Sequence, residues 1–115
     1  MTDLEYMDLA EAALEAIEAA CDRLNETTDV DIDSQRTGGL LTLTLGNGGG
    51  QIVVNLQKPL HEIWLAARRG GFHFKWTGQA WRDTKVGDEL FGLLGEVATE
   101  QAKMKLTFMP TISRD

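Results

Sequence analysis

One cysteine, two prolines and one tyrosine stand in a chain of 115 residues. Cys21 alone can form neither an intramolecular disulfide nor a zinc site, which suits a reducing compartment. Bases are also scarce, with 11 Lys and Arg against 18 Asp and Glu and a formal charge of −7. A nucleic-acid binder needs the opposite excess to neutralise phosphates, and anionic membranes repel such a surface. No run approaches the roughly 20 apolar residues that span a bilayer. The first residues, MTDLEYMD, have neither the basic start nor the apolar stretch of a secretory signal. The expectation is a soluble, cytoplasmic protein with no nucleic-acid partner and no membrane partner.

The composition is nevertheless that of a folded domain, with 43% hydrophobic and 25% charged residues, three Trp and four Phe. A chain this long buries one core, so a single domain over 1–115 is expected. Internal repeats, linkers and low-complexity segments are not evident. Charge is uneven. Residues 1–36 carry 11 acids against 2 bases, and residues 37–115 carry 7 acids against 9 bases. Such polarity acts on ions and partners more than on the fold.

Over residues 4–24 the apolar or small residues Tyr6, Leu9, Ala10, Ala13, Leu14, Ile17, Ala20, Cys21 and Leu24 recur at helical spacing. At 100° per residue, Asp8, Glu11, Glu15, Glu18, Asp22 and Glu26 fall within an arc of about 80° on the opposite face. Residues 25–29 read as a loop and 30–36 as a first strand in which Asp29, Asp31 and Asp33 alternate onto one side. Leu41, Leu43 and Leu45, then Ile52, Val54 and Leu56, alternate with polar residues about a glycine-rich turn, which predicts a hairpin. That turn leads into a strand, not a helix, so it lacks the setting of a phosphate loop. Further strands are expected over 63–67, after a Gly70-Gly71 turn over 72–76, and near Trp81. A helix is expected over 86–103, with Asp83 or Thr84 as N-cap and Asp88 and Glu89 in its first turn. The tail from 104 to 115 has no clear pattern. Helix, antiparallel strands and helix call for an α+β two-layer sandwich. Its two helices pack on one face of a five- or six-stranded sheet, and the other face meets solvent.

The carboxylate stripe is the strongest chemical feature. Like charges at i, i+3 and i, i+4 destabilise a helix by roughly 0.2–0.5 kcal/mol per pair, and nothing nearby in the sequence compensates them. A solvated face that keeps the chain soluble is the plainer alternative, but such a face tolerates mixed charges. An all-oxygen surface suits hard cations such as ferric iron, calcium, magnesium or manganese. Ligands spread along a ridge hold several ions weakly. The Glu-x-x-His motifs of a di-iron bundle are absent, and Leu65 stands where a metalloprotease would have its second histidine after His61-Glu62. No serine or cysteine nucleophile has a partner base in the sequence pattern. Cys21 reads as a packed thiol whose pKa the nearby carboxylates raise. A second patch lies on the sheet, where Asn55, Gln57 and Trp64 share the open face, an arrangement used to anchor protein partners. A Trp shielded by Arg68 or Lys58 stems is the simpler alternative.

At these residues the sequence resembles the frataxin family, in its bacterial branch. The resemblance runs through I52-V-V-N-L-Q-K-P-L-H-E-I-W-L65, G70-G-F-H-F-K-W76 and Trp81. The acidic first helix, the D29-V-D-I-D33 strand and the closing L90-F-G-L-L94 helix stand in the same order. It covers nearly the whole chain and implies the frataxin-like fold and a place in iron–sulfur cluster assembly. It further implies weak iron binding, as Fe(II) or Fe(III), at Glu11, Glu15, Glu18, Asp22, Asp29, Asp31 and Asp33. Glu15, Glu18 and Asp22 become implied contacts to a cysteine desulfurase, and Asn55, Gln57 and Trp64 implied contacts toward the desulfurase and its iron–sulfur scaffold protein. Met7 and Ala19 depart from the histidine and the second acid that some bacterial members carry there. The expected function is a non-enzymatic iron-binding donor or regulator, monomeric, with association driven by bridging iron. A ferroxidase acting at the same ridge is the alternative. A ridge that mimics nucleic acid would explain the charge but not Asn55, Gln57 and Trp64.

Overall fold

The first helix, α1 (Asp3–Thr27), buries Tyr6, Ala10, Ala13, Leu14, Ile17, Ala20, Cys21 and Leu24 along one stripe. A capping box not foreseen from the sequence fixes its start. Thr2 Oγ1 accepts from the Glu5 amide at 3.0 Å, and Glu5 Oε1 accepts from the Thr2 amide at 2.8 Å. The helix also runs through residues 25–27, expected as loop. There the Thr27 and Thr28 hydroxyls donate to the Arg23 and Leu24 carbonyls at 2.8 and 2.7 Å, filling acceptors that a helix end leaves open. Asn25 then exchanges two hydrogen bonds with the Ile32 backbone, donating at 2.9 Å and accepting at 2.8 Å. This tie starts β1 (Ile32–Thr37) two residues later than expected and leaves Asp29 and Asp31 ahead of the strand.

The computed structural model describes residues 1–109, so 110–115 of the expected domain and tail lie outside the described residues. After β1 come β2 (Leu40–Leu45), β3 (Gly50–Gln57), β4 (Glu62–Ala67), β5 (Gly70–Trp76) and β6 (Trp81–Asp83), in one antiparallel sheet ordered as in the sequence. The hairpin register pairs Leu41 with Val54 and Leu43 with Ile52, as the alternation predicts. The turn before β5 is Arg68-Arg69 and not Gly70-Gly71, because Ala67 already pairs with Gly70. Leu41, Leu43, Leu45, Ile52, Val54, Ile63, Leu65, Phe74 and Trp81 are buried on the sheet face that carries the helices.

The second helix, α2 (Leu90–Ala102), starts four residues later than expected. Glu89 is its N-cap, accepting from the Phe91 and Gly92 amides at 2.9 Å. Asp83 instead holds the preceding turn, accepting from the Lys85 and Val86 amides at 3.2 and 2.9 Å. Gly87 at φ +82° is the break that keeps the helix from starting earlier. Leu106 and Phe108 return over α2 and are buried. Near the other end, Gln101 donates to the Gly49 carbonyl at 2.8 Å and accepts from the Arg68 amide at 3.0 Å, tying two hairpins to the helix. Among the described residues no helix is long and apolar enough to cross a membrane.

Replacing Asn25 with alanine strands the amide and carbonyl of Ile32. It is expected to cost about 1–3 kcal/mol in urea unfolding, with a native-like circular dichroism spectrum. Cys21 is fully buried, and burial first, then the Asp22 and Glu18 carboxylates, push its thiol from an ordinary 9.0 up to about 12. The folded state therefore binds this proton more tightly than the unfolded chain. The contribution is fully present below pH 9.0 and is lost as pH rises toward about 12. Burial raises the Tyr6 phenol in the same sense. Unfolding free energy is thus expected to fall as pH rises from 9.0 toward about 12, and to fall less steeply in Cys21→Ala, where the thiol no longer contributes.

Candidate functional site

The helix α1 presents its carboxylates away from the sheet because the opposite stripe is consumed by the core. Glu15, Asp22 and Glu26 are exposed, whereas Glu11 and Glu18 are half-buried. The difference has a single cause, a base on β1. Arg36 Nη1 donates to Glu18 Oε1 at 3.2 Å, and Arg36 Nη2 makes a short contact to Glu11 Oε1. Arg36 Nε donates to the Gly38 carbonyl at 3.3 Å, which anchors the guanidinium from its own hairpin turn. The stripe is therefore compensated in part, at Glu11 and Glu18, from outside the helix.

Asp29 and Asp31 lie exposed between α1 and β1. The Gly46 amide donates to the Asp31 carbonyl at 2.8 Å, and a side chain at 46 would crowd the Asp31 carboxylate. Asp33 turns to the other face of the sheet, in register with Thr44 and, through it, Gln51. The ridge thus wraps around the β1 edge, with Asp33 on the far side. Among the described residues no three His, Cys, Asp or Glu side chains converge to hold a metal ion. Single and paired carboxylates remain, a donor set suited to hard, hydrated cations held loosely.

On the open face the register lines up Thr37, Leu40, Asn55, Trp64 and His73 across five strands. Asn55 is directly opposite Trp64, and Gln57 is opposite Glu62. The three expected contact residues are brought together, all half-buried. Trp64 is half-buried, and the Arg68 guanidinium reaches instead to the Gly48 carbonyl. The Trp64 ring stacks on His73 with centroids 4.2 Å apart and planes 8° from parallel, and its Nε1 donates to Glu62 Oε1 at 2.7 Å. Lys75 Nζ stands 3.4 Å from the other Glu62 oxygen, so this carboxylate, only 11% exposed, keeps a cation beside it. The Tyr6 hydroxyl donates to the Glu62 carbonyl at 2.6 Å and joins the strand to α1. Tyr6 also stacks on His61, whose Nε2 lies 2.8 Å from Asp3 Oδ1, and that hydrogen bond holds the Asp3 carboxyl below its ordinary range.

Sequence reasoning gave no site role to Arg36, Glu62, His73 and Lys75, although alternation sets Glu62 on the Trp64 side of its strand. The last three were open to the same two-residue alternation that placed Trp64. Arg36 shares the core side of β1 with Ile32 and Ser34, and a charged residue on that side is itself a signal. A groove lined by Leu9, Ala13, Trp76, Trp81 and Phe91 has Gln79 and Glu89 as its polar side chains, and Glu89 is committed to capping α2.

Residues 1–104 match the frataxin-like domain family model. Over 108 residues the chain is 60% identical to the iron-sulfur cluster assembly protein CyaY of Variovorax paradoxus, covering 94% of this chain and 97% of that protein. It superposes on the frataxin of Psychromonas ingrahamii with a TM-score of 0.80 at 32% identity, over 95% of this chain and 99% of that one. The trimeric frataxin of Saccharomyces cerevisiae, in a ferrous complex, gives a TM-score of 0.70 at 26% identity, over 83% of this chain and 86% of that one. Strand order, helix placement and sequence agree throughout: the chain belongs to the frataxin family.

Proposed function

We propose that this chain works in bacterial iron–sulfur cluster assembly as a cytoplasmic, non-enzymatic adaptor. It holds iron weakly as cargo along Glu11, Glu15, Glu18, Asp22, Asp29, Asp31 and Asp33, and it docks on a cysteine desulfurase through the same ridge. The observation that carries this reading is the display of Glu15 and Asp22, exposed and with no ion-pair partner among the described residues, on a helix face beside the half-neutralised Glu11 and Glu18. A rigid row of carboxylates attracts hydrated cations without enclosing them, and it complements a basic protein surface equally well. The pathway is supported by the name of the Variovorax relative, and the cargo by the ferrous complex of the yeast frataxin. Asn55, Gln57 and Trp64 then face the desulfurase and its scaffold protein, with the indole already oriented by His73 and Glu62. The chain itself acts as a monomer, and bridging cations would draw copies together. Ligands that spread instead of converging favour cargo handling over a ferroxidase centre.

The test is affinity for a purified cysteine desulfurase at low and raised salt. Native binding is expected to be micromolar or tighter and to weaken at least about ten-fold between about 50 and 300 mM salt. A Glu15→Lys, Asp22→Lys variant should lose it while melting like the native chain, because neither residue supports the fold. Equal binding by that variant would remove the ridge from the interface. Ferrous iron added in air should consume oxygen at the protein-free rate. A faster rate that disappears in the same variant would instead establish oxidation at the ridge.

A further inference from the structure

The ridge is not uniformly available, because one guanidinium already occupies part of it. Arg36 reaches Glu11 with one nitrogen and Glu18 with the other, while its Nε is fixed to the Gly38 carbonyl at 3.3 Å. Glu11 and Glu18 are two helical turns apart, and Glu15 lies between them on the same face. Any cation that bridges Glu15 to either neighbour therefore shares that carboxylate with Arg36, which already holds its Oε1, and meets the guanidinium charge at close range. The arginine is only 21% exposed and triply hydrogen-bonded, so it does not simply swing aside.

We infer that Arg36 is a tethered counter-ion that competes with external cations for Glu11 and Glu18, and so sets the affinity of the Glu11, Glu15 and Glu18 part of the ridge. This rests on the reading of the ridge as a cation surface. Asp29 and Asp31 escape the competition. The strand between Ile32 and Arg36 spans about 13 Å, beyond the screening length of about 10 Å at 0.1 M salt. Only a planar fork grips both carboxylates at once, so lysine is an incomplete substitute.

The test is a titration with Mn2+, a paramagnetic hard cation, followed by amide NMR broadening in the native chain, Arg36→Gln and Arg36→Lys. In Arg36→Gln the Mn2+ concentration that half-broadens Glu11, Glu15 and Glu18 should fall about five-fold, the scale of one partly exposed ion pair. Asp29 and Asp31 should move less than about two-fold. Arg36→Lys should fall between the two, and it keeps the test decisive if Arg36→Gln proves too unstable. Unchanged concentrations at Glu11, Glu15 and Glu18 in both variants would overturn the role of Arg36 and leave the ridge a cation surface. Absence of broadening along the ridge in all three proteins would overturn the cation surface and the competition together.

Discussion

Burial of one stripe of α1 against the sheet decides where every charge in the first quarter of the chain can go. Tyr6, Ala10, Leu14, Ile17 and Cys21 are fully buried, and a helix that commits those positions has only the opposite arc for its acids. Alanines at 10, 13 and 20 keep the side chains at the contact small. The carboxylates are crowded outward by the same geometry that builds the core, and their mutual repulsion is accepted because tertiary packing outweighs it. Core and carboxylate ridge are thus two faces of one helix.

The opposite surface of the sheet is organised by pairing in place of packing. Residues opposite one another in adjacent strands share a face, so the register alone assembles Asn55, Trp64 and His73 into a row. The orientation of the Trp64 indole is already fixed by stacking and by a carboxylate, so little of its side-chain freedom would remain to be lost on any association. Tyr6 connects the two surfaces, since its ring lies in the helix stripe and its hydroxyl ends on the Glu62 carbonyl.

Most of this was legible in the sequence wherever periodicity is strong. The α1 stripe, the Leu41-to-Leu45 hairpin and the open-face residues follow from spacing alone, and the frataxin-like architecture follows from their order. Boundaries were less legible because side chains set them. Thr27 and Thr28 extend α1, Asn25 delays β1 through bonds to a residue seven positions away, and Asp83 was expected to cap a helix when it caps a turn. The largest omission concerned charge. Arg36 lies 18 residues from Glu18 and 25 from Glu11, so no local rule pairs them, and the ridge read as uncompensated until the strand was placed beside the helix.

A sheet with one open face offers whatever edge backbone is left unpaired to any other strand. Here β6 is only three residues long, while β1, at the other edge, carries Asp33 and runs beside the acids of α1. Two copies approaching along β1 bring like charge against like charge, so the edge is guarded by repulsion where most proteins would use a covering loop or a proline. A guard made of charge holds only while the charge is uncancelled. Neutralising those carboxylates would lower the barrier that keeps the β1 edges of two copies apart.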